Sequence, residues 1–175
     1  MKETLNKLAK VLLENDESLT SVFNSGAKPL DIKEVEKLIG VKFNDELKEI
    51  YQLCNGNDAG VLWMIEGCRY LSLEEMVEQW KELKELMKDP DYLDMEIETE
   101  DSIQPVWVDE KWIPIFSGGE STIFVDLHPT KSDANGQVLM KYHDEEAYVI
   151  AESIVNLLET VEYDSEAEYF VSDFD

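Results

Sequence analysis

Three apolar runs set what this chain can fold into: WIPIF (112–116), STIFVDL (121–127) and QVLMKY (137–142). They are rich in β-branched and aromatic residues and have the length of strands. Gly118 with Gly119, and Asn135 with Gly136, separate them. Asn-Gly between two such runs is a strong turn signal. The second half of the chain therefore reads as neighbouring strands of a mainly antiparallel sheet.

The first half has a different period. Leu5, Leu8, Ala9, Leu12 and Leu13 recur at spacings of three and four, which is one face of a helix. Residues 15–30 carry Asp, Ser, Asn, Gly and Pro and read as a loop. Asp31 is expected to cap a short helix with Glu34 as its capping-box partner. Ile32, Val35, Leu38 and Ile39 form its buried stripe and Gly40 stops it. Asn44 caps the next helix, with Leu47, Ile50, Tyr51 and Cys54 inward and Asn55 and Gly56 at its end. The run VLWMI (61–65) reads as a short strand. Ser72 and Glu75 open a further helix with Leu73, Met76, Val77, Trp80, Leu83 and Met87 as its stripe and Pro90 just past its end. A last helix around 150–161 buries Ile154, Leu157, Leu158 and Val161. Helices first and strands later, without strict alternation, give an α+β class with helices packed on one face of the sheet. The length of 175 residues fits one domain, expected over 1–162, followed by an acidic tail over 163–175.

Charge narrows the function. The chain has 40 acidic and 15 basic residues, a net charge of −25. Residues 1–88 hold 17 acids and 12 bases, whereas residues 89–175 hold 23 acids and 3 bases. Phosphate backbones and anionic membrane surfaces need basic partners, so nucleic acid and membrane are excluded as expected ligands. A basic protein is the natural partner of such a field, and solubility alone is the alternative. A surplus spread only for solubility has less reason to be so lopsided. The stretch 89–110 is the most acidic loop or insertion. Cys54 and Cys68 form no CxxC motif and read as reduced core residues of a cytoplasmic protein. The N-terminal segment lacks the apolar stretch of a signal peptide, and no apolar run approaches the roughly 18 residues of a membrane span.

Chemistry-bearing motifs are sparse. Asp126 and His128, with Asp133, His143 and Asp144 nearby in sequence, admit a metal or acid–base reading. The competing reading is a turn in which Asp126 satisfies backbone amides. The chain has two histidines and no HExxH spacing. Ser117 and Ser121 flank Gly118, Gly119 and Glu120 without a GxSxG elbow, and no Lys-Ser/Thr ending makes a phosphate loop of them. No catalytic residue, metal or cofactor is expected. Trp63, Trp80 and Trp112 are expected in the core. Trp107 is either an interface anchor or the start of a strand. The tail alternates Glu162, Asp164, Glu166 and Glu168 with Tyr163, Tyr169 and Phe170, aromatics that would dock it on the domain or on a partner.

Three segments together resemble the SUKH superfamily of bacterial toxin-immunity proteins and fungal cell-wall-assembly regulators. VEKLIGVKFNDELKEIYQLCNG (35–56) is similar to the family's opening helix pair, with Gly40 and then Asn55 and Gly56. WIPIFSGGESTIFVDL (112–127) resembles its Ile-Pro strand, Gly-rich turn and Asp-Leu strand, through Pro114, Gly118, Gly119 and Asp126. GQVLMKYHDEEAYVIAESIVNLL (136–158) resembles its Gly-x-Val strand, acidic turn and closing helix, through Gly136, Val138, Ala151 and Ser153. The resemblance covers roughly 31–160. Phe43 and Asn44 stand where Leu-Pro is frequent, Ile154 stands where an aromatic is common, and 89–110 is long for a connector.

The resemblance implies a curved SUKH-like sheet and no catalytic residues. It implies a non-enzymatic immunity protein that binds and neutralises a cognate toxin, often a nuclease or deaminase; a regulatory or scaffold module is the alternative. The charge reading reaches a basic partner by a separate route. The expected contact surface is Asp91, Asp94, Glu96, Glu98, Glu100, Asp101 and Trp107, joined by Asp144, Glu145 and Glu146 if the fold brings the loops together.

Overall fold

The computed structural model describes residues 1–88 and 97–172. Helix α1 spans Lys2–Asn15 and buries Leu5, Leu8 and Leu12. Strand β1 (Phe23–Ser25) lies inside the stretch expected as loop and pairs with β2 (Cys54–Asn57). Helix α2 (Pro29–Ile39) begins earlier than expected. Pro29 occupies a first-turn position, where a missing N–H costs nothing. Asp31 is the third helical residue, and its carboxylate accepts the Lys28 amide at 3.1 Å. Leu38, expected in the buried stripe, is exposed.

Helix α3 (Asp45–Leu53) is capped by Asn44, whose side chain accepts the Leu47 amide at 2.9 Å. Asn55 and Gly56 do not end this helix; they lie in β2. Gly56 has φ 80°, and a Cβ there would sit 2.4 Å from the Ser72 nitrogen, so glycine is required by both backbone angle and space. Strand β3 (Arg69–Tyr70) leads into α4 (Leu73–Leu86), opened by the expected capping box of Ser72 and Glu75.

The main sheet continues as β4 (Trp112–Ser117), β5 (Ser121–Asp126), β6 (Val138–Tyr142) and β7 (Tyr148–Ala151). Its order is β3-β4-β5-β6-β7, every neighbour antiparallel. Register shifts between Pro114 and Phe116 and between Val138 and Leu139 mark bulges, and Pro114 sits where a missing ladder donor is tolerated. Helix α5 (Ile154–Thr160) is shorter than expected. Its first four expected residues include Ile150 and Ala151, which belong to β7, where Ala151 pairs with Val138 of β6, and Ser153 caps the helix by accepting the Asn156 amide.

The sheet is covered on both sides. Ile113, Ile123, Val125, Val138 and Met140 face the helices in the main core. Their strand neighbours Trp112, Phe124 and Leu139 point the other way, into a second cluster with Ile103, Val108 and Ala147. Period-two alternation thus feeds two cores. Of the acidic segment before β4, Ile103, Trp107 and Val108 pack over this second face.

The run at 61–65 is no strand. Val61, Met64 and Ile65 are buried, while Leu62 and Trp63 are exposed, so Trp63 is not a core residue. Glu66 and Gly67, both with positive φ, turn the chain so that the Met64 and Ile65 amides donate to the Cys68 carbonyl. Trp80 and Trp112 are in the core as expected. Beyond α5, strands β8 (Glu162–Asp164) and β9 (Tyr169–Val171) form a hairpin. Phe170 is 2% exposed and packs in the main core.

Candidate protein-binding surface

The turn between β6 and β7 carries Asp144, Glu145 and Glu146, all exposed. Beneath them Lys141 is buried and aims its ammonium back into the turn. Nζ donates to the carbonyls of Glu145 (2.6 Å), Tyr142 (3.2 Å) and His143 (3.5 Å). It also stands 3.4 Å from the centre of the Trp107 ring. Trp107 is half-buried, lies outside any strand, and packs against the second core cluster. Burial pushes the Lys141 ammonium down to about 8, against the opposing charges of Asp144, Glu146 and Glu145.

The segment 97–101 reaches the same edge of the sheet. Ile97 and Thr99 are half-buried, whereas Glu98, Glu100 and Asp101 are exposed. Glu100 Oε1 accepts the Val149 amide of β7 at 3.0 Å, across 49 residues of chain. Asp101 lies 3.7 Å from Lys131 Nζ, and its carbonyl accepts the Thr130 hydroxyl. Glu98, Glu100 and Asp101 therefore lie on a segment that a hydrogen bond ties to the strand following Asp144, Glu145 and Glu146. Asp91, Asp94 and Glu96 lie outside the described residues.

A cleft of about 320 Å³ opens beside this surface, between the end of α4 and the β4–β5 and β6–β7 turns. Leu83, Leu86, Trp107 and Phe124 supply apolar wall, Glu82 and Glu120 supply negative charge, and Lys141 lines it as well.

Asp126 is fully buried and behaves as a turn residue. Its carboxylate accepts the His128 amide at 2.8 Å and the Gln137 amide group at 2.9 Å. Burial first raises its pKa, and Asp109 adds to this; the bonds from His128 and Gln137 oppose it. His128 Nδ1 meets the Asp109 carboxylate at 2.8 Å at the surface. Among the described residues no group of three or more His, Cys, Asp or Glu side chains is arranged to hold a metal ion. Cys54 and Cys68 are free and buried, and burial pushes their thiols up to about 12 and about 11. No helix of the described residues is long and apolar enough to cross a membrane.

The chain matches the SMI1 / KNR4 family (SUKH-1) over residues 26–160. It belongs to that family. Membership makes this SUKH-1 chain, at family level, an immunity protein or regulatory protein-binding module. The match takes in the whole five-stranded sheet and the acidic surface, and leaves out α1 and the β8–β9 hairpin. No curated protein sequence matches the chain.

Sequence reasoning missed the exposed pair Leu62 and Trp63. The run VLWMI carries no period that distinguishes a buried strand from a bracketed tip, and the signal lay in the Glu66-Gly67 turn that follows it.

Proposed function

We propose that this SUKH-1 protein is a non-enzymatic cytoplasmic immunity protein that binds and neutralises a cognate toxin. The contact is the acidic surface made by Glu98, Glu100 and Asp101 with the Asp144–Glu146 turn, and Trp107 anchors its rim. The bond between Glu100 and Val149 carries the reading, because it fixes the acidic segment to the strand that leaves the acidic turn. Two stretches distant in sequence then act as one field, which speeds encounter with a basic protein. A nuclease or nucleic-acid deaminase fits this surface, because its own site must be basic to hold phosphates. The carboxylates would stand in for that phosphate backbone.

The test is to express the reading frame next to this gene in bacteria, with and without this chain. Killing by the neighbour and rescue by this chain support the proposal. A harmless neighbour, or killing without rescue, contradicts immunity and moves the regulatory module ahead.

A further inference from the structure

Leu62 and Trp63 stand 68% and 44% exposed between buried Val61, Met64 and Ile65. This is no frayed loop. The Val61 amide donates to Asp58 O at 3.0 Å, and Met64 N to Cys68 O at 2.8 Å. The C-terminal hairpin grips the same segment: Phe170 N donates to Met64 O at 2.8 Å, Glu66 N donates to Phe170 O at 2.9 Å, and Ser172 N donates to the Glu66 carboxylate at 2.6 Å. A backbone held this firmly keeps a tryptophan in water, an arrangement that costs free energy unless a partner covers it. Tryptophan is also among the residues most enriched as binding anchors.

Trp63 lines a cleft of about 440 Å³ together with Leu19 and Tyr163. The charged groups lining it are Asp16, Glu17 and Glu168, and among the described residues no Lys or Arg lines it. These charges converge. The Tyr163 phenol is raised in pKa by burial first, then by Glu168 and Asp16. The cleft also lies largely outside the family match. Asp16, Glu17 and Leu19 precede residue 26, Tyr163 and Glu168 follow residue 160, and residues 60–63 alone fall within it. It is built mainly from what this chain adds to the SUKH-1 core.

We propose that this cleft is a second docking site, which takes an arginine-bearing segment of a basic protein partner. The guanidinium lies over the Trp63 indole, ringed by Asp16, Glu17 and Glu168, and its aliphatic stem packs on Leu19. A planar, weakly hydrated guanidinium stacks on an indole better than a lysine ammonium does. The inference rests on the reading of the chain as a binder of a basic protein, but the cleft shares no residue with the surface around the β6–β7 turn.

The probe is an octa-arginine peptide titrated into the full-length, nitrogen-15-labelled chain, followed by NMR. Saturable shifts of the Trp63 indole N–H and of amides 16–18 and 60–63 are expected, smaller with octa-lysine. Trp63→Ala should weaken that binding about two- to fivefold, the loss of one exposed cation–π contact. The substituted side chain is exposed, so the variant should keep its fold; a triple D16N/E17Q/E168Q change, which leaves Trp63 in place, should also abolish the indole shift. Shifts confined to residues 98–101 and 144–146 would overturn this second site and leave the acidic face standing. Diffuse, unsaturable shifts over the whole acidic surface would overturn both. An affinity unchanged by Trp63→Ala would overturn the cleft alone.

Discussion

Lys141 Nζ stands 3.4 Å from the centre of the Trp107 indole and donates to the Glu145 carbonyl at 2.6 Å. One buried cation thus joins the aromatic rim of the candidate surface to its acidic turn. The folded value of about 8 lies below the ordinary 10.5, so between them the unfolded chain binds more protons than the folded one. Lys141 should therefore make stability rise with pH from about 8 towards about 10, by at most about 1.4 kcal/mol per pH unit. Lys141→Met should flatten that rise. Urea unfolding at pH 7, 8 and 9 for both proteins checks it.

Glu98 and Glu100 are neighbours in charge but not in role. Glu100 holds the Val149 amide of an edge strand, whereas Glu98 has an exposed side chain on the same segment. Glu100→Lys should cost stability, about 0.5–1 kcal/mol for the lost bond, as well as partner affinity. Glu98→Lys should lower affinity with little change in stability. Thermal melts beside binding measurements separate the two.

Two buried carboxylates should respond oppositely to acid. Burial alone would raise the Glu36 pKa, but the Phe43 amide, Lys42 and Lys48 outweigh it and hold the group below its ordinary value of 4.5. Its stabilisation is present above that value and is lost as pH falls through the lower folded one. Asp126 is raised, by burial above all, so its contribution runs the other way: it is present below the unfolded value of 3.8 and lost as pH rises through the folded one. Glu36→Gln should cost about 1–3 kcal/mol at pH 7 and lessen acid sensitivity between pH 5 and pH 3. Asp126→Asn should cost less at pH 7, because it removes a buried charge. Denaturant midpoints across pH 3 to 7 check both signs.

Phe170 locks the C-terminal hairpin to the core, stacking edge-on against Tyr163 at 5.5 Å between ring centres and bridging Ile65. Phe170→Ala should cost about 3–4 kcal/mol, as for other buried aromatics. A chain truncated after Val161 should lose at least as much and expose the Leu62–Trp63 tip to proteolysis. Equilibrium unfolding and limited digestion measure these effects.

Much of this fold was legible in the sequence where one signal acted alone. The capping residues Asn44 and Ser72 marked their helices, and the three β-rich runs became β4, β5 and β6 in the expected order. Misreadings came where tertiary pairing overrode a local signal. Asn55 and Gly56 look like a helix stop, yet Gly56 is needed because its backbone passes within reach of Ser72. Ile150 and Ala151 fall inside the range expected for the last helix, but they belong to β7, the edge strand that pairs with β6. The acids of 97–101 were legible as a patch, but not Glu100's bond to Val149. Nothing in a sequence shows which strand amide would otherwise lack a partner. Leu62 and Trp63 were lost for a related reason: apolar residues look alike whether a turn tucks them in or holds them out.

The most direct measurement is the dissociation constant between the purified chain and the protein encoded beside its gene, for wild type and for the variant E98K/D144K/E145K/E146K, at low and high salt. The acidic-face account predicts that the four reversals weaken binding by more than about tenfold at low salt. It also predicts that added salt narrows the gap by screening the charges. A variant that binds as tightly as wild type at both salt concentrations would contradict it.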